Sequence, residues 1–362
     1  MCLALAAAGP VLGAAPLPLS TPGGDLTLGA WATLQLEVPR GPSPPPPTVG
    51  GSQTNTAAGS AHGEDYSLDN AQYTRRTRLS ISHLAALAWW EPSPSWQWLA
   101  EVDGLNAAQW PRFDGGEDSP NSDFSLSLER LYVDYRPGDA WNLRLGKFLT
   151  PVGRWNANHA DPLTWTTTRP LISQAAFPTN LVGAMAYGNL PLGSQGLDYR
   201  FYAAGRQHWD GTAPGSAITR AAGVRLAVPA GFGLQVGVSA LAFAQLKSSP
   251  DHSRLVGADF VWHRGRAEFS GEALRRIGSD AGDGGERGWF VQGALPLAER
   301  WWLTTRWESY KRVADANATR SALVGLVFRS GGHWVAKVEW VRPTTAAPGM
   351  PQGLLASLTA LF

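Results

Sequence analysis

The chain has one cysteine, Cys2, so neither a disulfide framework nor a cysteine metal centre is available to it. Nowhere does it hold about twenty consecutive apolar residues, which excludes a membrane-spanning helix. Charged residues make up 16% of the sequence, against roughly 25% in an average soluble protein. The net charge is only +1 and no basic patch stands out, so the electrostatic footprint of a nucleic-acid-binding protein is missing. The seven histidines are scattered without a His-x-x-x-His pair, and Asn158-His159-Ala160-Asp161 is too common a cluster to mark a metal site. There is no Gly-x-Ser-x-Gly elbow and no phosphate loop. A hydrolase would have to draw its serine and histidine from separate segments, so the chain is read as a non-enzyme without metal or cofactor.

What the sequence does have is 41 glycines, 27 prolines and 17 tryptophans. Glycine and proline in such numbers suit many short strands joined by turns. Near the start, Leu26, Leu28, Ala30, Ala32, Leu34, Leu36 and Val38 alternate with Asp25, Thr27, Gly29, Trp31, Thr33, Gln35 and Glu37. At the other end Leu354, Ala356, Leu358, Ala360 and Phe362 share one face, while Leu355, Ser357, Thr359 and Leu361 share the other. Terminal strands that each pair a lipid-suited face with a water-suited one are explained together if they close a cylinder around water.

Residues 1–19 form an apolar leader with small residues Gly13, Ala14 and Ala15 at a cleavage-like position, and read as a signal peptide. The basic region that normally opens such a leader is missing, so either its start is truncated or the segment is structural. Cys2 is then an incidental leader residue.

The remainder, 25–362, reads as one domain: an all-β, antiparallel, up-and-down transmembrane barrel of about sixteen strands. Its connections sort by parity, the odd ones averaging about fourteen residues and the even ones about three. That asymmetry is expected when one rim faces the cell exterior and the other the periplasm, with both termini periplasmic. The long loops 39–70 and 150–180 are placed outside, the first read as mobile from its four consecutive prolines, Pro44 to Pro47, and its Gly/Ser/Thr tract. Trp89, Trp90, Trp96, Trp141, Trp262, Trp301, Trp302 and Trp334 lie near the short turns, where a lipid-interface belt would sit; Trp209, Trp289 and Trp340 lie toward the other rim.

Four stretches carry a resemblance. They are Tyr73-Thr74-Arg75-Arg76-Thr77-Arg78-Leu79-Ser80-Ile81, Trp98-Leu99-Ala100-Glu101-Val102-Asp103, Leu131-Tyr132-Val133-Asp134-Tyr135, and Leu143 to Gly153 with its Gly146-Lys147-Phe148-Leu149-Thr150-Pro151. Together they resemble the phosphate-selective porin O/P family, in which an Arg-rich strand start precedes a Glu-x-Asp strand, a Tyr-rich strand and a Gly-Gln/Lys-Phe-x-x-Pro stretch. The match runs to Tyr187; beyond it the chain matches only as generic barrel hairpins. The resemblance implies a water-filled barrel in the outer membrane of a Gram-negative bacterium, usually a homotrimer in contact with lipid, passing small hydrophilic solutes and anions such as phosphate.

Alternation gives the candidate channel-lining residues. Arg144, Arg225, Arg306, Lys337, Glu101, Asp103, Asp134, Glu268, Glu272, Glu308 and Glu339 all fall on the inward face. A charge on the lipid face at mid-height costs on the order of 2–4 kcal/mol, so mid-strand charges are forced inward. Each either meets the solute or pairs across strands and solvates the wall. The loop 150–180 carries Arg154, His159, Asp161 and Arg169 among Trp155, Trp165 and Phe177, too aromatic for a disordered tip. It packs either on the inner wall, as a constriction, or over the outer rim. The competing functional reading is a structural barrel that sheathes a partner, such as an electron-carrying protein.

Overall fold

The computed structural model describes residues 17–21, 23–39, 77–110, 124–192, 195–205, 218–245, 252–278, 285–312, 317–344 and 352–362. Its strands are β1 (Leu17–Thr21), β2 (Gly24–Pro39), β3 (Arg78–Ser93), β4 (Trp96–Trp110), β5 (Ser125–Tyr135), β6 (Asn142–Leu149), β7 (Asn180–Leu192), β8 (Gln195–Ala204) and β9 (Ile218–Gly231). They continue as β10 (Leu234–Gln245), β11 (His252–Arg264), β12 (Ala267–Gly278), β13 (Glu286–Ala298), β14 (Trp301–Lys311), β15 (Thr319–Arg329), β16 (Trp334–Pro343) and β17 (Gly353–Leu361).

Each of β2 to β17 pairs antiparallel with its neighbours in sequence, and β17 pairs with β2, so sixteen strands close into a ring. Closure leaves no sheet edge, the condition a sheet must meet to sit in hydrocarbon. The terminal strands meet as their alternation requires: Thr33 and Thr359 are direct partners, both turned inward, with their hydroxyls 3.0 Å apart. The sequence did not announce β1, which pairs with Gly24–Leu28 and continues the line of β17 along the same edge of β2. It overlaps the expected leader at residues 17–19. The expected external loop 39–70 lies outside the described residues, apart from Pro39.

The two faces sort as alternation dictates. Thr33, Gln35 and Glu37 are buried on β2 while Leu28 and Leu34 are exposed; Leu355, Ser357 and Thr359 are buried on β17 while Leu358 is exposed. Val236, Val238, Val256, Val324, Leu326 and Val338 continue the apolar outer belt. Long and short connections alternate around the ring: the chain leaves β6 at one rim for the long stretch 150–179, and the two-residue connections 94–95 and 232–233 lie at the other.

Exposed Trp90, Trp96, Trp141, Trp301 and Trp334 gather near the short turns. Trp302 departs from this expectation and is only 8% exposed. Consecutive strand residues point to opposite faces, so Trp301 outward forces Trp302 into the lumen. A second departure comes from a β-bulge between Ile81 and His83, which skips Ser82 in the pairing with Leu34 and Thr33. The extra residue lets both Ser82 and His83 reach lumen partners, the Thr33 carbonyl and Asp103.

Candidate functional site

Between β6 and β7, residues 150–179 leave the wall and return. Their base is tied by Thr150 N–H to the Thr179 carbonyl at 2.8 Å and by the Asn156 amide, which donates to the Thr150 and Thr179 carbonyls at 2.9 and 3.0 Å. The stretch holds one 3-10 turn, Asn156–Asn158, and one turn of α-helix, Ile172–Ala175. Without a ladder, its backbone groups need side-chain partners once buried.

The wall supplies them. Arg329 donates to the carbonyls of Pro162, Leu163 and Thr164, and Lys337 to the carbonyls of Asp161 and Thr166 and the hydroxyl of Thr164. Arg306 reaches the Thr168 and Arg169 carbonyls and the hydroxyls of Thr166 and Thr168. Carboxylates take the amides: Glu339 those of Thr167 and Thr168, each at 2.9 Å, Glu308 that of Leu171 at 2.8 Å, and Glu272 those of Arg154 and Trp155. Cations therefore hold carbonyls and carboxylates hold N–H groups, on strands β12 to β16. Each such charge-assisted bond contributes about 1.5–3 kcal/mol. On the far side, His159 lies 3.4 Å from Glu129 of β5, and Asn180 donates to the Glu129 carbonyl. One segment bonded to inward side chains on opposite arcs of a closed ring lies inside it. Ile172 and Phe177 belong to one buried apolar cluster with Phe290 and Tyr310 of the wall.

Two glycines of the resemblance stretch have a physical reason here. Gly146, at φ 128°, stands where a Cβ would come within 2.3 Å of the Leu131 carbonyl oxygen. Gly153, at φ 62°, stands where a Cβ would strike the Glu272 carboxylate at 2.2 Å; its carbonyl accepts from Arg225 and its N–H donates to Ser239. The inward loop thus begins on a backbone that only glycine adopts without strain.

The remaining expected lining residues also have partners, mostly on neighbouring strands of the wall. Arg144 bonds Asp134 through two nitrogens at 2.7 Å, and Tyr187 donates to the same carboxylate. Glu101 is bonded to Arg130, Asp103 to His83 at 2.7 Å, and Arg225 to Asp259 at 2.6 Å. Glu268 accepts from the Trp165 indole at 3.0 Å.

On the loop, Arg154 donates to Gln235, and Arg169 lies over the Trp155 ring at 4.9 Å; burial pushes its guanidinium down to about 10. Burial alone would raise the Asp161 carboxyl, but His83 and Lys337 nearby hold it below the usual carboxylate range. Burial likewise pulls the His159 imidazole down, and the bonded Glu129 carboxylate outweighs it, so the net shift is upward.

Arg329 and Glu129 escaped the sequence reading. Parity running from Ser321 through Leu323 and Val327 would have placed Arg329 inward. Between the loop and the wall lies a cavity of 590 Å³ lined by Trp155, Trp165, Trp302, Arg154 and Gln292 among others. Trp165 and Trp302 meet at 5.6 Å between ring centroids, with Arg329 over the first and Arg266 over the second.

No protein-family model matches the chain, and no curated protein matches it by sequence. Solved structures do. The chain is similar to an anion-selective porin from Comamonas acidovorans at 13% identity, with 93% of this chain and 99% of that one covered and a TM-score of 0.58. It is similar to OmpF of Salmonella typhi, solved in complex with daunomycin, at 9% identity over 96% of this chain and all of that one (100%), with a TM-score of 0.62. OmpT of Vibrio cholerae, folded in vitro and in a trimer form, matches at 8% identity, 94% and 99% coverage and a TM-score of 0.54. At these identities what is shared is the fold, that of outer-membrane porins: a closed antiparallel barrel.

Proposed function

We propose that this chain is an outer-membrane porin, a non-enzymatic, water-filled channel through which small hydrophilic solutes diffuse passively. The observation that carries this reading is the segment 150–179 bonded inside a sealed ring whose outside is apolar. Such an arrangement suits a constriction in a lumen, and the 590 Å³ cavity lined by loop and wall residues is space that a small solute could enter. The lining residues then divide. Arg306, Lys337, Glu308 and Glu339 position the loop, whereas Arg154, His159, Asp161 and Arg169 are carried on the loop and meet the solute there.

The finer reading, a preference for anions such as phosphate, follows the family resemblance and is supported by the two arginines that the loop itself carries, Arg154 and Arg169. Balanced Arg–Asp and Arg–Glu pairs elsewhere make the preference a weak one. A sheath around an electron carrier would need the lumen clear, and the loop takes part of that space.

Reconstitution in a planar bilayer under a salt gradient tests the proposal. It expects stepwise conductance, grouped in threes if the assembly is a trimer, with a reversal potential toward the anion side. Absence of steps removes the channel; a cation-side potential removes only the anion preference.

A further inference from the structure

The strands β11 to β16 turn their carboxylates inward. Asp259, Glu268, Glu272, Glu286, Glu308 and Glu339 all bond lumen partners. Their outward faces at the long-loop rim carry the opposite sign: Arg254 on β11, Arg275 on β12, Arg287 on β13, Lys311 on β14 and Arg342 on β16. The outward direction follows from parity with exposed Val256, Trp289, Trp307 and Trp340. None of these five cations has a hydrogen-bond or ion-pair partner among the described residues.

The register makes this costly. Arg275 stands directly opposite Arg287, and Arg287 directly opposite Lys311, three like charges on three neighbouring strands. Side chains so paired are about 5 Å apart, and like charges in that position destabilise a sheet. Charges that repel within the protein are tolerated where an anion from outside sits between them.

Height says where that anion comes from. From the rim toward mid-barrel, the outward residues run Arg287, Trp289, Val291 on β13 and Arg342, Trp340, Val338 on β16. Indoles mark the headgroup boundary and valines the hydrocarbon, so the cations stand at the level of lipid headgroups. Guanidinium forks fit phosphate oxygens two at a time.

We propose that the outward rim of β11–β16 is a binding site for lipid headgroups that carry phosphate, with Arg275, Arg287 and Lys311 clamping the phosphate and Arg254 and Arg342 flanking it. This rests on the barrel being embedded with its long-loop rim at the outer leaflet, and is independent of what the lumen conducts.

The test measures binding of diphosphorylated lipid A, and of the same lipid with its phosphates removed, to the purified full chain in a non-ionic detergent by native mass spectrometry. Wild type is expected to retain the phosphorylated lipid and release the dephosphorylated one. The variant R275Q/R287Q/K311Q is expected to bind it about a hundredfold more weakly. Without lipid its melting temperature stays equal or rises, because repulsion has been removed. Should this variant not fold, R254Q/R342Q reads the same loss at about tenfold. Equal binding of wild type and variant, equal binding of both lipids, or displacement by equimolar inorganic phosphate would each overturn the site. Bilayer conductance recorded on the same preparations separates failure of this site from failure of the channel reading.

Discussion

The arc from β2 to β8 and the arc from β9 to β17 both point charges into the lumen, and they use them differently. In the first arc the charges pair within the wall: Glu101 with Arg130, Asp134 with Arg144, Asp103 with His83, and Glu37 with Arg78. In the second, Arg306, Arg329, Lys337, Glu308 and Glu339 leave the wall and bond the backbone of a distant loop. An inward charge is required by the bilayer in either arc. Whether it stiffens the wall or positions a constriction depends on what faces it across the barrel.

The comparison breaks most severely at Arg306. Replacing it by methionine leaves Glu308 and the Thr168 carbonyl buried without their cation, a loss of about 3–5 kcal/mol. The expected readout is a lower urea midpoint in detergent together with larger and noisier conductance steps; quiet, wild-type steps would mean that the loop does not depend on this anchor. Arg144→Gln probes the other arc. It weakens a wall pair by about 1–2 kcal/mol and should lower thermal stability slightly while leaving step size unchanged. An altered step size there would erase the distinction between the arcs.

The smallest effect is expected at a loop contact with the first arc, that of His159 with Glu129. The His159 imidazole has a raised folded pKa beside Glu129, so its contribution is full below the ordinary value of 6.5 and is lost as pH rises through the raised value. Loop-dependent current noise should therefore grow on the alkaline side in wild type and lose this pH dependence in His159→Gln. Noise that grows toward acid pH would contradict the sign.

The fold was legible in the sequence where the information is local. Alternation in 25–38 and 354–362 gave the two faces and, with the parity of the connections, the closed ring. It also put Arg144, Arg225, Arg306 and Lys337 on the inward side. The same rule, applied residue by residue, would have turned Trp302 inward beside Trp301 and brought in Arg329. The His83 exception was beyond it, because a bulge shifts the phase by one residue and only the pairing with Thr33 and Leu34 reveals where.

What the sequence determined by itself is therefore the sorting of side chains between hydrocarbon and water, since that depends on period two and on the cost of a charge in lipid. The tertiary structure decided the partners. Closing sixteen strands fixes which inward residues stand across from residues 150–179, so Arg329 and Lys337 meet carbonyls while Arg144 meets an aspartate. The Arg329 and Lys337 pairings join positions 167 and 176 residues apart, whereas Arg144 and Asp134 are neighbours across one hairpin, and no local pattern carries a register that is set only when the last strand meets the first.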